Sequence, residues 1–374
     1  MISYYMPTNI VISDNAISNL EAHKSKKFFI ISGKESLTRS NLGDIIKKTV
    51  TCVGIFSGIK TNPNGEQAEE IASLIKESGA DILLSVGGGS VHDTAKAAQI
   101  LLNNPERVFK YTVDVPGAID AIKKPSIPLI TIPTICGTGA EISPASLVII
   151  DSAKKIIFSP FLYPSQTLID TNHIFHGSTK TVAASTAYDA FVQGLEAFVS
   201  IRSNYFSDTL AVAAIKTTIE YLPKLLADIN NKKFREYIAI AAIQSLLAVT
   251  MADVGAIHAL SDPLSARKGL HHGQALAIVS SGVIKENYHA CSEKYNYVSK
   301  LLSDNFSDIP STIKLYNSLP LFLQKIGLTN SVQDSIFSDS DNISTFVDES
   351  FNPDMTSNPC KLSKDAVKKI FISI

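Results

Sequence analysis

Val86-Gly87-Gly88-Gly89-Ser90 follows an apolar run and opens a helical pattern. At such a place, unpaired backbone N–H groups and the helix dipole favour an anion such as a pyrophosphate. Three glycines let the backbone approach that group closely, although a plain strand-to-helix turn has the same composition. Two features favour binding. Asp93 and Lys96 fall within the next two turns, and a second small-residue turn, Pro133-Thr134-Ile135-Cys136-Gly137-Thr138-Gly139-Ala140-Glu141, follows a later apolar run. Two such turns after two strands can grip one dinucleotide from both sides. In the second half, Asp189 and Gln193 are four apart and share a helix face. His258 and His272 also lie in helical patterns, where an isolated histidine is more often structural than a ligand.

These residues need two kinds of scaffold. Phe28–Ile31, Cys52–Phe56, Ile82–Val86 and Leu129–Ile132 are short apolar runs that read as strands, with helical spacing over Gly65–Ser78 and Ser90–Leu102 between them. This alternation predicts a parallel sheet covered by helices. From Ser178 the pattern changes to long helices over Thr181–Ser200, Phe206–Ile229, Phe234–Leu260 and His272–Tyr288. The fold class expected is therefore α/β, a dinucleotide-binding parallel-sheet domain over 1–177 followed by an all-helical metal and substrate domain over 178–374. A cleft shared by the two domains is the expected place for substrate. Beyond Ser303 the sequence, rich in Ser, Asp and Asn, predicts only a few surface helices.

Composition narrows the partners. With 374 residues, 45% of them hydrophobic and 18% charged, the chain reads as a soluble globular protein. A formal net charge of -1 gives no general attraction to nucleic acid or an anionic membrane, so neither is an expected partner. No segment reads as the ~20 apolar residues of a membrane span, and no basic leader precedes an apolar run. Cys52, Cys136, Cys291 and Cys360 are scattered without CxxC spacing, as free thiols in a reducing compartment would be. The expected location is the cytoplasm.

GGGSVHDTAK, IPTICGTGAE, DAFVQGLEAFVS and HALSDPLSARKGLHHGQALAI occur in a consistent order from about Pro7 to about Tyr288. Together they closely resemble the iron-containing (group III) alcohol dehydrogenases, whose fold is shared with glycerol dehydrogenase and dehydroquinate synthase. The resemblance implies that Gly87, Gly88, Gly89 and Ser90 contact the cofactor pyrophosphate; Asp93, from its place in the helix after them, is a further cofactor-site candidate. It implies further cofactor contacts at Thr134 and Thr138, and at Asn64 near the adenosine. It makes Asp189, His258 and His272 ligands of a divalent metal, iron or zinc, and it places Gln193 where a fourth, histidine ligand is usual. Dimers are common in this family, and a homodimer is expected.

Three departures bear on function. Where NAD-preferring members often carry an Asp for the ribose 2'-hydroxyl, this chain has Gly33 followed by Lys34. Loss of the carboxylate removes its repulsion of a 2'-phosphate, so NADP(H) is favoured over NAD(H). Gln193 can offer only a neutral amide oxygen, yet three protein ligands with an open position suffice for a catalytic metal. Asp262 stands one turn after the first metal-binding histidine, where many members have a His that assists proton transfer. Asp262 or His271 could carry that proton, or Asp262 could simply pair with Arg267. Arg267 and Lys268, read as a loop between the two histidines, suggest a substrate bearing a carboxylate, phosphate or phosphonate; a solvated loop reads the same way.

The activity expected is reversible hydride transfer between NAD(P)(H) and a small alcohol or aldehyde, with an anionic, phosphonoacetaldehyde-like substrate as a specialisation. A dehydroquinate synthase-like lyase or cyclase is one alternative. A catalytically silent dinucleotide-binding relative is the other, motivated by Gln193 and Asp262.

Overall fold

The computed structural model describes residues 4–59, 64–151, 153–329, 337 and 342–374. The chain divides into two compact units, Met1–Ser178 and Thr179–Ile374.

The first unit is built on parallel strands β1 (Asn9–Ser13), β2 (Lys27–Gly33), β3 (Thr51–Ile59), β4 (Ile82–Gly87), β5 (Leu129–Pro133) and β8 (Gln166–Asp170), in the order β1-β8-β5-β4-β2-β3. A separate antiparallel hairpin joins β6 (Ala145–Ile150) to β7 (Ala153–Phe158). Helices α1 (Leu42–Thr49), α2 (Gly65–Ser78), α3 (Gly89–Leu101) and the short α4 (Ala118–Ala121) connect the strands. Alternate residues of one strand serve opposite faces. Phe29 and Ile31 of β2 join Ile71, Ile75, Ala95 and Ala98 of α2 and α3 in one core, whereas Phe28 and Ile30 join Leu20, Leu42 and Ile46 in another. Burial on both faces is why these central strands are legible as unbroken apolar runs.

The second unit is helical: α5 (Lys180–Val199), α6 (Tyr205–Ala227), α7 (Lys232–Ala252), α8 (Ala256–Lys268), α9 (His272–Asn287), α10 (Ser292–Asn305), α11 (Leu315–Lys325), α12 (Ile343–Glu349) and α13 (Lys364–Ile372). From Ala183 to Val199 every residue of α5 is buried, as expected of a helix wrapped on all sides by others.

Several expectations need correction. The helix read as running from Phe234 to Leu260 breaks at Asp253–Gly255, where Asp253 adopts a left-handed φ of 57°. His258 therefore stands in the first turn of a new helix. Arg267 and Lys268 form the last turn of that helix, not a loop. The helices beyond Ser303 are not merely superficial, because Leu315, Leu319, Phe322 and Leu323 of α11 and Val367, Ile370 and Phe371 of α13 are buried. Finally, α7 is long and apolar enough to cross a bilayer by length and mean hydropathy of 1.3, although half of that window is buried in the helical unit, where it packs on α5 and α6.

Candidate metal centre and dinucleotide-binding edge

The carboxyl ends of β2, β4 and β5 are neighbours. Ser32 pairs in register with Val86, and Gly87 with Pro133. The chain leaves β2 for β3 on one side and β4 for β5 on the other, so the strand order reverses between β2 and β4. A crevice outside the strand ends forms at such a switch point, and Gly33 and the Gly87–Ser90 turn flank it. Glycine is required here by close approach rather than by φ. A Cβ on Gly88 would stand 2.9 Å from Ile135 Cδ1, and one on Gly89 2.9 Å from Thr138 Oγ1, so the two small-residue turns pack directly on each other.

Thr134 is fixed at this edge from both ends. Its N–H donates to the Gly87 carbonyl at 2.9 Å, and its carbonyl accepts from Phe175 N–H at 2.8 Å. Asn64 caps α2, its Oδ1 accepting from Glu66 N–H at 2.8 Å. Lys34 is exposed, and Ser36 Oγ lies 2.7 Å from the place a Cβ on Gly33 would take.

The two ionic residues thought to strengthen the phosphate turn are inside the fold. Lys96 is fully buried and donates to the carbonyls of Ala140 at 2.5 Å and Ala145 at 2.8 Å, so it fastens the second turn to α3. Asp93 is also buried, with Oδ1 lacking a hydrogen-bond partner, and its burial pushes its carboxyl up to about 6 against the opposing pull of Lys96 and Lys154.

In the helical unit, α5, α8 and α9 bring three side chains together. Candidate ligand atoms of Asp189, His258 and His272 all lie within 4.8 Å of one another. His258 Nε2 is 3.2 Å from Asp189 Oδ1, and His272 Nε2 is 3.9 Å from Asp189 Oδ2. Asp189 and His258 are buried, while the His272 side chain keeps 27% of its exposure and opens the cluster on one side. One carboxylate and two imidazoles without a thiolate suit Fe(II), Zn, Mn or Ni. A divalent cation fits this donor set, with the open side left for a further ligand.

Backbone contact sets the spacing of the cluster. A Cβ on Gly273 would fall 1.8 Å from the Ser185 carbonyl oxygen, so α9 touches α5 main chain one residue after His272 and one turn before Asp189. Ser185 Oγ also bonds His271 Nδ1 at 2.9 Å. The start of α9 is thereby fixed against α5 by both atoms of one serine.

Gln193 is buried beside this set, and its Oε1 accepts from Ser245 Oγ at 2.9 Å. Sequence reasoning missed Glu196. Its Oε2 faces His258 Nδ1 at 2.5 Å, and its Oε1 accepts from Ile257 N–H at 2.5 Å. The signal was available: Asp189, Gln193 and Glu196 are spaced at i, i+4 and i+7, which places all three on one helix face.

His258 thus sits between two buried carboxylates. Burial disfavours its charged form, but hydrogen bonds and charge attraction from Asp189 and Glu196 outweigh that and push it up to about 10. Below that pH an incoming cation must displace a proton from the ring, because only neutral imidazole ligates. Metal affinity is therefore expected to rise with pH through neutrality, by up to about tenfold per unit for one displaced proton. Isothermal titration between pH 6 and 8 in buffers of different ionisation enthalpy checks this, and a pH-independent affinity with no proton release contradicts it.

The remaining candidates are less centrally placed. Asp262 is half-buried on α8, one turn beyond His258. Arg267 does not pair with it: Nε and Nη2 of Arg267 engage both carboxylate oxygens of Glu349 on α12. The Arg267 charge is therefore already compensated within the chain. Lys268 Nζ lies 5.8 Å and 5.9 Å from the ring centroids of Phe337 and Phe346.

The chain is similar to known proteins along almost its whole length. Residues 7–171 match the family described as iron-containing alcohol dehydrogenase, and residues 183–374 match the C-terminal part of the same family. It is 27% identical to the NAD-dependent methanol dehydrogenase of Bacillus methanolicus over 320 residues, 83% of this chain and 82% of that one. It is 29% identical to the sulfoacetaldehyde reductase of Bilophila wadsworthia over 295 residues, 77% of this chain and 73% of that one. The structure of an alcohol dehydrogenase from Oenococcus oeni superposes with a TM-score of 0.89 at 24% identity, covering 100% of both chains. By these matches, the chain belongs to the iron-containing alcohol dehydrogenase family.

Proposed function

We propose that the protein is a metal-dependent NAD(P)(H) oxidoreductase that interconverts a small alcohol and an aldehyde. The observation that carries this reading is the convergence of Asp189, His258 and His272 on one point of the helical unit. When bound, the divalent metal supplies Lewis acidity toward the carbonyl or alkoxide oxygen, and the nicotinamide supplies or accepts the hydride. Asp189 offsets part of the cation's charge, and His258 and His272 offer neutral nitrogen donors. Gly87, Gly88, Gly89 and Ser90 give a pyrophosphate close access to the backbone at the start of α3. Thr134 and Thr138, fixed on the facing turn, complete the proposed grip.

Asp262 and His271 are the proposed proton carriers to the product alkoxide. His271 has its Nδ1 held by Ser185 Oγ, which leaves Nε2 to exchange a proton. A homodimer acting in the cytoplasm on a small molecule completes the proposal.

For the cofactor, NADP(H) is proposed over NAD(H), because Gly33 removes the carboxylate that would repel a 2'-phosphate and exposed Lys34 adds a cation beside it. A relative named as NAD-dependent makes that choice a direct point of test. For the substrate, the name sulfoacetaldehyde reductase supports an anionic aldehyde, whereas the Arg267–Glu349 pair argues against Arg267 as a ready anion receptor. A neutral aldehyde is therefore the reading favoured by the geometry.

The test is a panel of neutral and anionic aldehydes assayed with NADPH and NADH after reconstitution with Fe(II) or Zn. A lower KM for NADPH and turnover of neutral aldehydes are expected. A clear NADH preference overturns the cofactor choice, and exclusive turnover of anionic aldehydes overturns the neutral one.

A further inference from the structure

Helix α8 carries His258 in its first turn but has no cap of its own, because its N-cap residue is Gly255. Unpaired N–H groups at a buried helix start are costly, so other parts of the chain must satisfy them. Asn358 Oδ1 accepts from Ala256 N–H at 3.2 Å, and Glu196 Oε1 accepts from Ile257 N–H at 2.5 Å. Asn358 is itself fixed by a reciprocal amide pair with Asn287, 2.8 Å in each direction. Glu196 has a second task. Its other oxygen, Oε2, stands 2.5 Å from His258 Nδ1, while His258 Nε2 looks toward Asp189 Oδ1 at 3.2 Å.

We infer that Glu196 is a positioning residue of the metal centre, fixing His258 in the tautomer whose Nε2 lone pair points at the site shared with Asp189 and His272. A carboxylate only accepts hydrogen bonds, so Nδ1 must carry the hydrogen and neutral His258 must present a bare Nε2. Glu196 is buried with no solvent to take its place, and its two oxygens are divided between the helix start and the ring. One side chain thereby sets the position of the helix, the orientation of the imidazole and the identity of the ligating nitrogen. Partners of this kind shape metal affinity without touching the metal.

The inference rests on the metal reading above, and its test separates the two. Glu196→Gln retains an oxygen for Ile257 N–H but turns an NH2 group toward His258 Nδ1. The ring hydrogen then moves to Nε2, where it blocks ligation. Wild type and variant are titrated with Co(II), following visible absorption, and the thermal midpoint of each metal-free protein is recorded. Expected are tight Co(II) binding by wild type, an affinity about 10- to 100-fold lower in E196Q with an altered absorption band, and a cooperative thermal transition in both metal-free proteins, lower in E196Q because His258 loses a buried charge partner. Wild-type affinity and spectrum in E196Q overturn the role of Glu196. Failure of the wild type to bind Co(II) overturns the metal reading and this one with it. Should E196Q not fold, long-range proton–nitrogen spectra of the zinc-loaded wild type decide. Hydrogen on His258 Nδ1 with Nε2 metal-bound is expected, and the reverse overturns the inference.

Discussion

Asp189→Asn is expected to fold, to lose stoichiometric metal and to reduce no aldehyde above background. The substitution keeps the shape of a buried side chain on α5 but removes the anionic oxygens that face both His258 and His272. Groups that only support a ligand alter metal affinity by about 10- to 100-fold, so loss of the sole carboxylate in the set should exceed that range. Metal content by mass spectrometry, circular dichroism and turnover together check it. A folded D189N variant that retains metal and near-normal turnover would place the active centre elsewhere.

Gly273→Ala is expected to be the most damaging single-methyl change in the helical unit. An added Cβ would lie 1.8 Å from the Ser185 carbonyl oxygen, and both partners are main chain that no rotamer change can move. Inserting a methyl into a tight core typically costs about 1 to 3 kcal/mol, and this contact belongs at or beyond the upper end. To relieve it, α9 must shift away from α5, carrying His272 away from Asp189. The expected outcome is a clear fall in thermal midpoint together with weakened metal binding. An unchanged midpoint with normal metal affinity would show that the α5–α9 contact does not set the cluster.

How much of this was legible in sequence depended on whether the cause was local. Central strands such as Phe28–Ile31 and Ile82–Val86 were readable because burial on both faces makes them continuously apolar. β8 was hidden, since Gln166–Asp170 offers only Leu168 and Ile169 as an apolar run between polar residues. The break between α7 and α8 was hidden for a different reason. Small and apolar residues continue across it, and only the left-handed Asp253 and the bare N-cap Gly255 interrupt the helix.

At the site, the family motifs drew attention to Asp189, His258 and His272, which the fold then brings together from three helices. Glu196 was readable in principle from its spacing after Asp189 and Gln193. The clamp between Ser185 and Gly273 was not, because it joins main-chain atoms of two helices far apart in sequence. Lys96 shows the opposite error. Its position after the glycine turn counted in favour of anion binding there, whereas its ammonium is spent on two buried carbonyls.

The most direct test of the account is metal stoichiometry joined to hydride transfer in one preparation. Protein reconstituted with Fe(II) or Zn and then desalted is expected to hold about one metal ion per chain at the centre of Asp189, His258 and His272 and to oxidise NADPH or NADH on addition of a small aldehyde. Absence of stoichiometric metal, together with no turnover of either cofactor across the aldehyde panel, would contradict it.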